Sequence, residues 1–285
     1  MTNQRFDALE QNPAAIAGHA RALRRSVVRM VGALGQGYVQ QGLGAADLFA
    51  VLFFGVLRTR LAEPEWPDRD RFLLSTAHNS ALFHAALAER GWIGREQLAT
   101  YCVDGSTLEV NVSERLGPLV EATCGSLGQG MSVGLGMALA GRRRGAPYRV
   151  YVVLGDGEMQ EGQVWEAAMA AGSMGVSSLC VVLDLNEMQV EGHTDRVLRQ
   201  EPVGEKWAAF GWNVIAVDGH DIPALLGALD AAGRCADRPT VILARTLVGK
   251  GVGFLEGQFG HNMKLSPEDA AAALRELGAA AELAA

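Results

Sequence analysis

Two segments of the sequence place oxygen ligands directly after apolar runs. Gly155-Asp156-Gly157 follows residues 148–154, and Asp184-Leu185-Asn186-Glu187-Met188 follows residues 178–183. Asp156 offers a carboxylate, Asn186 an amide oxygen, and the second loop can turn the Met188 carbonyl toward the same point. Such a set suits a hard divalent cation, Mg2+ or Ca2+, and Mg2+ commonly completes its shell with water and ligand phosphates. A bound diphosphate is therefore the natural companion. Gly157 would let backbone N–H groups approach its oxygens, and a helix starting near Glu161 would aim its positive end into the same crevice. Taken alone, Gly-Asp-Gly is more often a structural turn and a single asparagine more often a loop cap. The conjunction counts for more, because the two loops lie about thirty residues apart, a length that suits one βαβ crossover.

Positioning those loops requires a sheet. Residues 71–74, 148–154, 178–183, 212–217 and 239–244 read as strands. Helical patterns cover 14–34, 45–57 (begun by a turn at Gly42-Leu43-Gly44), 79–89 (ended by Gly91), 161–175, 201–210 and 222–232. Near-continuous apolar strands joined by helical crossovers predict a three-layer α/β fold, a parallel sheet with helices on both faces. Ligands bind such sheets at the carboxyl ends of the strands, where both candidate loops fall. The chain is expected to be a single domain over residues 1–285, with residues 1–12 and 279–285 as flexible ends; only the Ala-rich tail after Gly278 is of low complexity.

Composition narrows the partners. The formal charge of -7 over 285 residues argues against nucleic acid, and Arg142-Arg143-Arg144 reads as the solvated last turn of a helix. Cys102, Cys124, Cys180 and Cys235 form no C-x-x-C pair, so neither a zinc site nor a disulfide framework is indicated and a reducing cytoplasm fits. MTNQRFDALEQNP lacks the apolar stretch of a secretory signal, and the apolar run at 48–57 is too short to span a bilayer. A soluble cytoplasmic protein without a membrane partner is expected.

In order along the chain, DRDRFLLS, CGSLGQGMSVGLGMALA, GDGEMQEGQVWEAAMAAG and PTVILARTLVGKGVGFLE resemble segments of the transketolase family, over most of residues 15–265. The likeness is to the N-terminal, thiamine-diphosphate-binding half, including the N-terminal subunits of split transketolases. It implies the thiamine-diphosphate-binding fold (diphosphate domain). It also implies that Asp156, Asn186 and the Met188 carbonyl hold Mg2+, while Gly155, Gly157 and Glu158 form the diphosphate signature. Gly125 and Leu127 match positions that contact the aminopyrimidine, His78 a cofactor-side histidine, and His261 one near the diphosphate and the reacting carbon. Glu161 matches a residue at the subunit contact that couples paired active sites. Without the resemblance, both histidines would read as surface or core residues.

Departures from the family pattern fall on the substrate wall. Tyr38 stands where the family's Gly-His motif has histidine, and Asn111 where its Gln-Gly-His-Pro motif does; Thr76-Ala77-His78 keeps only the histidine of Lys-Gly-His. A neutral amide cannot move the protons that a histidine can, whereas Tyr38 can still donate a hydrogen bond. The expectation is two-carbon ketol transfer with a non-standard small-molecule donor or acceptor, Tyr38, His78, Asn111 and His261 being the catalytic candidates. The loop FLEGQFGHNMKLSPED is somewhat similar to that of homodimeric pyruvate dehydrogenase decarboxylases. It keeps a 2-oxoacid donor, or a carrier-bound acceptor such as an acyl carrier protein, as an alternative; a catalytically silent interaction subunit is another. In the family the activating glutamate belongs to a pyrimidine-binding domain, expected here on a second subunit in an α2β2 heterotetramer, so this chain alone should be inactive. A nicotinamide enzyme, suggested by Gly128-x-Gly130, leaves Asp156 and Asn186 unexplained.

Overall fold

The computed structural model describes residues 6–279. In chain order its elements are α1 (Pro13–Leu34), β1 (Gln36–Gly37), α2 (Val39–Gly44), α3 (Ala46–Ala50), β2 (Arg71–Leu74), α4 (Ser80–Arg90), α5 (Gln129–Arg144), β3 (Val150–Gly155), α6 (Gly162–Ser173) and β4 (Leu179–Leu185). Then come β5 (Met188–Gln189), β6 (Gly192–His193), α7 (Thr194–Val197), α8 (Val203–Ala209), β7 (Asn213–Asp218), α9 (Ile222–Arg234), β8 (Thr240–Arg245), β9 (Met263–Lys264) and α10 (Pro267–Glu276). Local chemistry sets the helix ends. Asn12 accepts from the Ala14 amide at the start of α1, and Gly35 closes that helix in the left-handed region. Arg142–Arg144 end α5 as expected, with Gly145 as the left-handed cap.

Five parallel strands form the sheet in the order β2-β3-β4-β8-β7. Alternate residues divide between two cores. Val150, Val152, Leu154, Val181 and Leu183 pack with Met131 of α5, Ala168 of α6 and Trp207 of α8. Tyr151, Val153, Cys180 and Val182 face Leu23 and Val27 of α1, Phe49 of α3, Leu82 of α4 and Leu229 of α9. The period of two explains why every residue of β3 and β4 is buried: one set feeds each helical layer. This is the three-layer architecture that the strand and helix patterns predict. Among the described residues, no helix is long and apolar enough to cross a membrane.

Several local expectations differ from what is found. Gly42-Leu43-Gly44 is helical rather than a turn, lying at the end of α2. Its glycines serve close approach: a Cβ on Gly42 would come within 2.8 Å of Val27 Cγ1, and one on Gly44 within 2.9 Å of the Leu247 carbonyl. The single helix expected over 45–57 becomes α3 followed by a π-helical turn at Val51–Val56. Helix α10 starts at a Ser266 cap with Pro267 in its first turn, in a stretch whose sequence reads as loop. Of the ends expected to be flexible, residues 1–5 and 280–285 lie outside the described residues. Within residues 6–12, the Asp7 and Glu10 amides donate to the Thr59 and Phe54 carbonyls, and Ala279 is buried at the other end.

One buried ion pair ties the layers together near the sheet's carboxyl edge. Arg24 of α1 grips Asp47 of α3 through Nη1 (3.1 Å) and Nη2 (2.6 Å), and its Nε donates to the Leu43 carbonyl at 3.0 Å. His220, just after β7, donates from Nδ1 to the same carboxylate at 2.8 Å. Burial alone would raise the Asp47 carboxyl; hydrogen bonds from His220 and Arg24, with the Arg24 charge, outweigh it and hold the group below its ordinary value. Truncating Asp47→Ala leaves the guanidinium buried without its partner, and urea unfolding should show a loss of about 3 kcal/mol at neutral pH. Because the folded carboxyl is depressed, that difference should be complete above about pH 4 and shrink as pH falls through the folded value. A pH-independent difference would contradict the assignment.

Candidate active site

The register of β3 and β4 sets the site. Gly155 lies opposite Asp184, so the loops leaving both strands emerge side by side at the carboxyl edge. The Asp156 amide donates to the Asp184 carbonyl at 3.2 Å. Asp156 is only 4% exposed, and its carboxylate accepts two backbone N–H groups, Gly157 at 2.7 Å and Glu187 at 2.6 Å. Burial, reinforced by the neighbouring Asp184 charge, still pushes its pKa up to about 8.

Asn186 is oriented by a residue that sequence reasoning missed. Its Nδ2 donates to Asp184 Oδ2 at 3.0 Å, which turns Oδ1 to accept the Met188 N–H at 3.0 Å. The other Asp184 oxygen accepts the Thr246 hydroxyl. In the sequence Asp184 reads only as the exit of an apolar strand. Gly157 closes the gap between the loops, because a Cβ there would lie 2.7 Å from Gln189 Cβ and 3.8 Å from the Met188 carbonyl. Asp156, Asn186 and Met188 consequently line one cleft with Gly155, Gly157 and Leu127.

Glu158 also lines this cleft, but its oxygens are engaged elsewhere. It accepts the Gly128 amide at 2.6 Å, the Gly155 amide at 3.1 Å and the Ser75 hydroxyl. Burial pushes its pKa up. A carboxylate cannot donate to phosphate oxygens, so this arrangement makes Glu158 a tie between the ends of β2 and β3 and the start of α5.

Tyr38, His78 and His261 meet although they come from distant parts of the chain. The short antiparallel pairing of β1 with β9 sets Gly37 against Met263, which carries Tyr38 to within 5.1 Å of the His261 ring centroid. His78 stands 4.8 Å from Tyr38 and 5.1 Å from His261. His78 and His261 line the cleft. Burial, then the adjacent His261, lowers the His78 pKa to about 4, and burial lowers His261 as well, so both rings are neutral at physiological pH. Asn111 and Gly125 line a separate, open cleft and are exposed. The Asn111 segment is pinned beside His78 by the Val112 amide on the Ala77 carbonyl (3.1 Å) and the Ser80 hydroxyl on the Val110 carbonyl (2.8 Å). Glu161 is exposed at the start of α6 and does not line the Asp156 cleft.

Charge defines what this cleft can hold. Among the described residues its ionisable side chains, apart from the two histidines, are the carboxyls of Asp156, Glu158 and Asp184; Arg196, Arg199 and Arg245 line a neighbouring cavity that Asp156 also borders. Among the described residues no cluster of three His, Cys, Asp or Glu side chains converges as a metal centre. One carboxylate, one amide oxygen and one backbone carbonyl make up a different kind of set, suited to a hard cation that brings further ligands. The cavity of about 110 Å3 is smaller than the roughly 300 Å3 at which complete small-molecule sites begin.

A sequence profile described as "Transketolase, thiamine diphosphate binding domain" matches residues 15–283. The 6-deoxy-6-sulfo-D-fructose transketolase subunit SqwG of Clostridium sp. (strain MSTE9) is 38% identical over 278 residues, 97% of this chain and 98% of that protein. An apulose-4-phosphate transketolase subunit of Phocaeicola vulgatus is 32% identical over 234 residues, 82% of this chain and 83% of that one. Among solved structures, the transketolase of Campylobacter jejuni superposes with a TM-score of 0.88 at 28% identity, over 94% of this chain and 43% of its own.

Glu158→Ala removes the acceptor shared by Gly128, Gly155 and Ser75. Unfolding free energy should fall by about 3 kcal/mol, as for buried donors left unpaired. Hydrogen exchange should speed up at the Gly128 and Gly155 amides. Unchanged exchange at both would show that Glu158 does not hold the loops.

Proposed function

The chain belongs to the transketolase family, and we propose that it is the diphosphate-binding subunit of a two-component, Mg2+-dependent enzyme that transfers a two-carbon ketol unit. The observation that carries this reading is the convergence of Asp156 and the 186–188 turn on one cleft whose charged lining is carboxylate only. Once Asp156 is ionised, a diphosphate beside it is repelled unless a cation stands between them. Asp156, Asn186 Oδ1 and the Met188 carbonyl are the residues that would hold the cation. Thiamine diphosphate, when bound, supplies a nucleophilic carbon and an electron sink. The chain's own residues then orient and exclude water: Leu127 packs the cleft wall, while the neutral His78 and His261 rings and the Tyr38 hydroxyl exchange hydrogen bonds with a hydroxylated substrate.

Several observations support a second subunit. The two relatives described above are named as subunits, and the Campylobacter transketolase is more than twice as long as the matched region. The cleft is undersized for a whole cofactor, and Val190 in its wall stands 58% exposed. The partner would bring the pyrimidine-binding domain and activating glutamate, most simply as α2β2. Tyr38 and Asn111, in place of two family histidines, favour a donor or acceptor outside ordinary pentose chemistry, as the sugars naming the two relatives also suggest.

Asp156→Ala should abolish thiamine diphosphate binding by the assembled complex in calorimetry with Mg2+; an unchanged dissociation constant would refute the metal assignment. The pH dependence carries its own sign. The folded carboxyl is raised to about 8, so metal binding must expel its proton. Affinity should rise between pH 6 and pH 8, by up to about tenfold per unit, with proton release detectable as a buffer-dependent heat. Affinity that is flat across this range would mean that Asp156 is already ionised.

A further inference from the structure

We infer that Gln41 is a positioning residue that fixes the tautomer of His261, so that this ring presents Nε2–H, a donor, to the cleft. Gln40 and Gln41 lie in α2 and are buried, at 0% and 7% exposure. Gln40 Nε2 donates to the carbonyls of Leu255 (3.1 Å) and Gln258 (2.8 Å), and the Gln40 backbone carbonyl accepts the Gly249 amide at 2.9 Å. The pair thereby clasps the loop that delivers His261.

Gln41 reaches one step further along that loop. Its Nε2 lies 3.4 Å from the Gly260 carbonyl and 3.1 Å from His261 Nδ1. A carbonyl only accepts, so the amide atom facing Gly260 must be nitrogen; the flipped amide would set oxygen against oxygen. The same nitrogen faces His261 Nδ1, which must therefore accept. Burial keeps the ring neutral, and its single proton is left on Nε2. This orientation leaves Gln41 Oε1 buried without a partner among the described residues.

His220 supplies a contrast within the same fold. There Nδ1 faces Asp47 at 2.8 Å and Nε2 accepts the Leu247 amide at 2.9 Å, so the proton sits on Nδ1. The tautomer of each ring thus follows from its buried neighbour. For His261 the consequence is chemical, since phosphate oxygens and substrate oxygens that gain negative charge accept hydrogen bonds. That consequence rests on the proposed function; the tautomer itself does not.

The test is a long-range 1H–15N spectrum of the full chain labelled at histidine, with signals assigned by their loss in His261→Gln and His220→Gln. His261 should show a protonated Nε2 and His220 a protonated Nδ1. Gln41→Glu puts an acceptor in the same place and should draw a proton onto Nδ1 of His261, leaving the His220 signals unmoved as a check on folding. In the assembled enzyme, the same variant should lower kcat roughly tenfold with KM for the donor little changed, the size expected for one lost hydrogen bond. A protonated Nδ1 on His261 in the unaltered chain overturns the inference, as does an unshifted His261 pattern in folded Gln41→Glu. If Gln41→Glu fails to fold, the unaltered chain's spectrum decides by itself. If the tautomers are as stated but the complex binds no thiamine diphosphate, the functional proposal fails and the inference stands.

Discussion

Burial of carboxylates at the paired ends of β3 and β4, with no lysine or arginine among the described residues of the cleft beside them, is the constraint from which the rest of the site follows. The register that sets Gly155 against Asp184 determines which side chains turn upward at the sheet edge. A slip of one residue would reverse every side chain of a strand between its two cores, so the helical layers on both faces enforce it. With that register fixed, Asp184 orients Asn186, Asp156 receives two amides from its own and the neighbouring loop, and Glu158 binds three segments together. None of these acids has a lysine or arginine partner in the cleft wall. Burial instead pushes all three acids toward the protonated form.

Much of this was legible in the sequence because it rests on local patterns. The apolar runs ending at Gly155 and Leu185 announce buried parallel strands, and the glycines on either side of Asp156 mark a loop that must approach another backbone. Asp184 was not legible, because an acid closing an apolar run looks the same whether it faces solvent or anchors a neighbouring amide. Only the pairing with Thr246, sixty-two positions away, decides the matter. Gly42 and Gly44 mislead for a related reason. Glycine serves both turns and close packing, and the Val27 methyl groups that crowd Gly42 lie elsewhere in the sequence.

Long-range placement also separates the two substituted positions of the substrate wall. Tyr38 reaches His261 because the two-residue pairing of β1 with β9 forces the adjoining loops together, something no periodicity could reveal. Asn111 sits in an irregular stretch whose backbone is attached at Val110 and Val112, leaving its side chain exposed over a different cleft. A partner subunit closing over both clefts would unite them. The same closure would cover the exposed apolar side chain of Val190.

The exit of β8 offers an internal control on the functional reading. Consecutive residues there serve two buried acids: the Thr246 hydroxyl donates to Asp184, and the Leu247 amide donates to His220, which in turn donates to Asp47. At Asp47 the chain supplies its own cation, Arg24, and hydrogen bonds and charge overcome burial so that the acid stays ionised. Among the described residues no lysine or arginine pairs with Asp184 or Asp156, although Arg196, Arg199 and Arg245 line a neighbouring cavity that Asp156 also borders, and burial pushes both acids the other way. Two acid centres at the same edge of one sheet, served by adjacent residues, therefore differ in one respect. The fold supplies a cation to the acid it keeps ionised for its own stability and leaves the acids beside the cleft to burial, which favours their protonated form.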